Sequence, residues 1–205
     1  MLGFYDYTVV LTYVSLMISI FGMFCALGGN FKYAILCLAL SGLCDMFDGK
    51  IARTKKDRTD DEKRFGIQID SLCDVVCFGA FPIIICYSMG MRGPASKLIL
   101  ALYGVASVIR LAYFNVTEEK RQNETEEVRE YYQGLPITSM AIILPFIYLI
   151  KKFCGIHFLF VLNAAVIIVG VLFISDIKVK KPHNPALILL VALVGLALAK
   201  MFHML

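Results

Sequence analysis

The chain has 205 residues, of which 59% are apolar, with a mean hydropathy of +0.75 and a formal net charge of +4. Ordinary soluble domains are about 45–50% apolar, so the composition excludes a soluble globular class. No polar stretch is long enough to fold as a second domain, and no nucleic-acid partner is expected.

A bilayer-spanning helix needs about 20 mostly apolar residues. Hydropathy predicts seven apolar segments, at about 9–29, 33–53, 66–90, 95–116, 135–151, 156–175 and 185–203. The expected fold is therefore all-α, a polytopic helical bundle forming one transmembrane domain over 1–205. The N-terminal MLGFYDYT lacks a basic region and a small-residue cleavage site, which predicts no cleaved signal peptide. Six of the seven cysteines, Cys25, Cys37, Cys44, Cys73, Cys77 and Cys86, lie in apolar runs and read as small buried hydrophobes. Cys154 follows a fifth apolar segment, and the set forms neither a disulfide framework nor a zinc site.

Polar connectors separate the segments: TKKDRTDDEKR, TEEKRQNETEEVREYYQ and DIKVKKPHN. With the N-terminus inside, the connectors after the second, fourth and sixth segments carry twelve basic residues and the opposite side carries six, namely Lys32, Arg92, Lys97, Lys151, Lys152 and Lys200. The excess of Lys and Arg predicts that these connectors face the cytoplasm.

Four carboxylates interrupt the apolar pattern. Asp45 and Asp48 lie three apart at the end of the second segment, and Asp70 and Asp74 lie four apart in the third. Each spacing puts its pair on one helix face. Antiparallel neighbours would bring the two faces together near the cytoplasmic boundary. Ionisable groups inside a membrane cost a few kcal/mol or more each, and four of them would repel unless neutralised. Ion pairs with Lys50, Arg53 or Arg110 would be one answer. A hard divalent cation is another, since all-oxygen ligation selects Mg²⁺ or Mn²⁺, with Ca²⁺ as an alternative, and four carboxylates suit two ions. Gly49, Ala52 and Gly66 leave room for a ligand, and Arg53 suits a phosphate.

The arrangement Asp45-x2-Asp48-Gly49-x2-Ala52-Arg53, then Gly66-x3-Asp70-x3-Asp74, resembles the signature of the CDP-alcohol phosphotransferases. All eight positions are present. Twelve residues, TKKDRTDDEKRF, separate Arg53 from Gly66, where the family usually has eight; the excess falls in a polar loop, where length is cheap. SLCDVVCFGAFP, RLAYFNV, YYQGLPITSMA and LFISDIKVKKP resemble segments of the CDP-diacylglycerol–serine O-phosphatidyltransferases of prokaryotic type. The family often has Pro-Asn shortly before a Thr near the N-terminus; this chain has Thr8-Val9 before Thr12.

The resemblance implies transfer of a phosphatidyl group from CDP-diacylglycerol to L-serine, in a membrane-embedded homodimer whose active site faces the cytoplasm. It implies metal ligation by Asp45, Asp48, Asp70 and Asp74, and a CDP site that includes Asp45, Gly49, Ala52, Arg53, Gly66 and Asp70. Asp74 is the implied general base. Arg110 and Asn115, on the fourth segment, are candidates for the serine site, with a structural role for Arg110 as the alternative. Two other functions stay open: a glycerol-phosphate or inositol-phosphate acceptor, and a divalent-cation transporter. The first would require more intramembrane basic residues than Arg110 alone. The second gives the Gly, Ala and Arg positions no purpose.

Overall fold

The computed structural model describes residues 3, 7–52, 54, 55, 57, 59–124, 131–180 and 184–203. Among these, seven helical rods run up and down: α1 (Val10–Leu27), α2 (Phe31–Ala52), a composite rod, α5 (Pro94–Glu124), α6 (Met140–Cys154), α7 (Phe158–Ile174) and α8 (Asn184–His203). The composite rod is α3 (Asp60–Asp74), a π-helical stretch (Val75–Ala80) and α4 (Phe81–Ser88). Among the described residues, four stretches are long and apolar enough to cross a membrane: Tyr7–Leu27, Asp60–Ser88, Pro94–Glu119 and Ile137–Ile174. The last of these holds two helices, broken at Gly155, whose φ of +50° ends α6.

The interface of α1 with its neighbours is built from small and polar residues. Along α1 the buried stripe is Thr12, Ser15, Ser19, Gly22 and Ala26, while Met17, Phe21, Phe24 and Leu27 face outward. Lipid is as apolar as leucine, so helix association in a membrane rests on close packing and hydrogen bonds rather than on the hydrophobic effect. A Cβ on Gly22 would strike the Phe81 ring and come within 2.6 Å of Cys37 Cβ, and one on Gly42 would come within 2.8 Å of Ala141 Cβ. Phe78, Phe81, Ile35, Leu38, Met140, Leu144 and Leu162 fill the centre.

Pro82 has a legible effect on the composite rod. In a regular helix the carbonyl of Phe78 would accept from the amide of residue 82, which proline lacks. The hydrogen bonding shifts to the π pattern, and the Phe81 amide donates to Val76 O. The Tyr103 hydroxyl on α5 donates to Phe78 O at 2.6 Å. An orphan carbonyl in this setting would cost several kcal/mol.

The structure corrects several boundaries. The third segment begins at Asp60, not near 66, because Thr59 caps it. The Glu62 amide donates to Thr59 Oγ1 at 3.2 Å, and the Thr59 amide donates to Glu62 Oε2 at 2.8 Å. This reciprocal cap, with acids in the first turn, stabilises a helix start inside a charged loop. The fourth segment runs on to Glu124, eight residues past its apolar part.

The bundle also carries an antiparallel ribbon, β1 (Tyr131–Gln133) with β2 (Lys178–Lys180), that the sequence reading did not contain. The ribbon ties the start of α6 to the end of α7. Beside it Gly134 donates to Ile177 O at 2.8 Å and Leu135 donates to Leu172 O at 3.0 Å. Gly134 has φ +74°, and a Cβ there would lie 2.8 Å from Phe173 O. Only glycine meets both demands.

Candidate active site

The aspartates lie at the end of the bundle where α2 finishes and α3 begins. Carboxylate oxygens of Asp45, Asp70 and Asp74 come within 4.8 Å of one another. Asp48, only 8% exposed, lies beside Asp70, and Asp45 lies beside Asp74, so the four pair across the two helices. The expected convergence of the two faces is thus present. It is a convergence of side chains more than of backbones, since α1 packs against both α2 and α3 at this end.

Two full negative charges no more than 4.8 Å apart repel by at least about 3.5 kcal/mol at an effective dielectric constant of about 20. The donors are all carboxylate oxygens, gathered from two helices and held at metal-ligand spacing. This set fits a hard divalent cation and offers no soft ligand.

The polar stripe of α1 supports the cluster from below. Thr12 Oγ1 donates to Asp48 Oδ2 at 3.3 Å. One turn further in, Ser15 and Ser41 share a hydroxyl hydrogen bond of 2.6 Å, and Ser19 donates to Ser41 at 2.8 Å. Ser41 lies one turn before Asp45, and Ser15 also touches Cys77 Sγ at 3.8 Å, one turn beyond Asp74. Thr8, one turn before Thr12, is buried, and its Oγ1 has no hydrogen-bond partner among the described residues. Sequence reading named Thr12 only as part of an N-terminal motif, and it missed Ser15, Ser19 and Ser41. The signal was available as Thr8, Thr12, Ser15 and Ser19 recurring every three or four residues in an apolar helix.

The other anticipated residues are placed as follows. A Cβ on Gly49 would meet no atom of the described residues within 4 Å. Gly66 lies on α3 one turn before Asp70, and Ala52 closes α2. Arg53 lies outside the described residues. Arg110, 5% exposed on α5, donates Nε to Leu135 O at 3.0 Å and stacks over Phe114 with its Cζ 5.4 Å from the ring centre. Asn115 accepts from Ser71 Oγ at 2.9 Å, which links α5 to the helix carrying Asp70 and Asp74. The N-terminal corner joins the same end, where the hydroxyls of Tyr7 and Thr54 lie 3.0 Å apart.

Comparison with known proteins agrees with this geometry. The profile of the CDP-alcohol phosphatidyltransferase family matches residues 8–175. The CDP-diacylglycerol–serine O-phosphatidyltransferase of Saccharomyces cerevisiae is 32% identical over 116 residues, covering 55% of this chain and 41% of that protein. Its namesake from Mycobacterium bovis is 30% identical over 156 residues, covering 74% and 53%. That of Methanocaldococcus jannaschii is 29% identical over 188 residues, covering 91% and 81%. The chain spans about half the length of the first two of these relatives. With its profile match running from α1 through α7 and the motif carboxylates gathered at one end, the chain belongs to the CDP-alcohol phosphatidyltransferase family.

Proposed function

We propose that the protein transfers the phosphatidyl group of CDP-diacylglycerol to the hydroxyl of L-serine, giving phosphatidylserine and CMP. The observation that carries this reading is the meeting of Asp45, Asp70 and Asp74, with no atom of the described residues within 4 Å of a Cβ on Gly49. The names of the relatives favour serine as the acceptor. In this reading the bundle is one domain, each rod crosses the cell membrane, and the aspartate end faces the cytoplasm. The excess of Lys and Arg in the connectors at that end supports the orientation. Water-soluble serine and the cytidine group then reach the site from the same side.

Asp45, Asp48, Asp70 and Asp74 would hold Mg²⁺ or Mn²⁺, two ions for four carboxylates. When bound, the ions offset charge on the transferred and leaving phosphates. Asp74 takes the proton from the serine hydroxyl. The serine oxygen forms a new bond to the phosphorus that bears diacylglycerol, and the bond from that phosphorus to CMP breaks. Gly49, Ala52, Arg53 and Gly66 line the cytidine diphosphate, with Asp45 and Asp70 at its phosphates. The buried hydroxyl of Thr8 is a further donor for that corner. Arg110 meets the serine carboxylate, its side chain steadied by Leu135 O and Phe114. Asn115 sets the depth of the acceptor pocket through Ser71. Two copies associate in the membrane, which light scattering of the purified protein tests.

The decisive assay is CMP release by purified protein from CDP-diacylglycerol with serine, glycerol 3-phosphate or inositol phosphate as acceptor. The reading expects release with serine alone. Release with a phosphorylated acceptor but not with serine would overturn the acceptor and keep the reaction class.

A further inference from the structure

The end of the bundle opposite the aspartates has the reverse electrostatic character. The helix ends that meet there, 28–36, 86–97, 148–160 and 198–203, contain no Asp or Glu. Three lysines gather at this end around a cavity of about 350 Å³, lined by Lys32, Tyr148, Leu149, Lys151, Lys152 and Met201. Lys32 comes from the start of α2, Lys151 and Lys152 from the end of α6, and Met201 from α8.

Lys151 is held in an aromatic frame, with its Nζ 5.4 Å from the Phe31 ring centre and 5.5 Å from those of Tyr148 and Phe158. Such contacts position an ammonium without neutralising it. Lys151 and Lys152 suit the negative end of the α6 dipole, but Lys32 stands in the first turn of α2, at the positive end, where a cation is disfavoured. Interfacial lysines commonly snorkel to water along lipid, and that habit explains a lone Lys152. It does not explain three cations from two helices facing one cavity whose lining, among the described residues, holds no carboxylate to compensate these charges.

We propose that this cavity binds a phosphate anion at the membrane boundary opposite the aspartates. Lys32 and Lys152 contact the phosphate oxygens, and Lys151, fixed by its three rings, adds field from behind. The phosphate belongs either to the headgroup of an anionic phospholipid or to a soluble phosphate. The inference stands apart from the proposed reaction and would survive its failure.

The test uses the full chain purified in neutral detergent and the double variant Lys32→Gln/Lys152→Gln, which keeps Lys151 and its ring contacts. Retained dioleoyl phosphatidylglycerol and dioleoyl phosphatidylcholine are counted by native mass spectrometry, and inorganic phosphate by equilibrium dialysis. Near a membrane surface each lysine is worth about 1 kcal/mol toward an anionic lipid, so the variant should bind phosphatidylglycerol at least about tenfold more weakly. Phosphatidylcholine should not respond, and Lys32→Arg/Lys152→Arg should restore binding. A response of inorganic phosphate alone would assign the site to a soluble phosphate. Equal retention of every ligand by the wild type and the glutamine variant would overturn the proposal.

Discussion

The two ends of the bundle gather like charges in opposite ways. At one end, carboxylates converge from neighbouring helices, with two of them three residues apart and two four apart. At the other, lysines converge from α2 and α6, whose ends are more than a hundred residues apart in sequence. The acidic end is backed by hydroxyls on α1 and α2 that reach Asp48 and run beneath Asp45. The basic end is backed by aromatic rings. Hydrogen-bonded support fixes individual ligand atoms, as chemistry at a phosphorus requires. A ring frame fixes a charge but leaves its contacts to the ligand. The difference teaches how like charges can be held in two ways, and it fits the proposed reaction at one end and the proposed anion binding at the other.

The largest effect should follow removal of the proposed base. Asp74→Asn should lower CMP release by about a thousandfold, in the range typical for a positioned general base. It should leave phosphatidylglycerol retention at the lysine cavity unchanged. Near wild-type turnover would remove Asp74 from the reaction; loss of lipid retention as well would mean that the variant misfolds.

Gly134→Ala probes the connector that closes the acidic end. The left-handed φ and the approach to Phe173 O make it destabilising by about 1–3 kcal/mol. A thermal melt in detergent should shift downward by several degrees. An unshifted melt would show that the ribbon and Gly134 do not hold α6 against α7.

Thr12→Val tests the backing of Asp48 alone. Groups that orient a metal ligand typically change affinity by about 10–100-fold when lost. The divalent-ion concentration for half-maximal CMP release should rise about tenfold, with the melt little changed. An unaltered metal dependence would reduce the Thr12 contact to packing. The smallest effect is expected at the far end, where Lys32→Gln/Lys152→Gln should leave CMP release within about twofold. A large loss would mean that the two ends are coupled.

The acidic end was legible because its information is local. Eight positions within thirty residues fix two helix faces, and helical spacing does the rest. The start of α3 was also written locally, as Thr59-x2-Glu62, but a dense run of charges reads as a connector when hydropathy alone is weighed. The ribbon was not legible. Tyr131 pairs with Lys180 across forty-nine positions, and three-residue strands are too short to show a period of two. The π stretch needed both Pro82 and its distant partner Tyr103. The inward polar face of α1 was hidden because threonine and serine barely alter hydropathy in a helix whose lipid side is so apolar. The lysine cavity depends wholly on which helix ends the fold brings together.

The central claim is that the carboxylates at the α2–α3 end hold a divalent cation. Manganese titration of the purified protein, followed by electron paramagnetic resonance of the free ion, measures this without any assumption about substrate. The wild type should remove manganese from solution, and Asp45→Asn/Asp70→Asn, folded by its melt, should bind it at least about tenfold more weakly. Equal manganese binding by the two proteins would contradict the account.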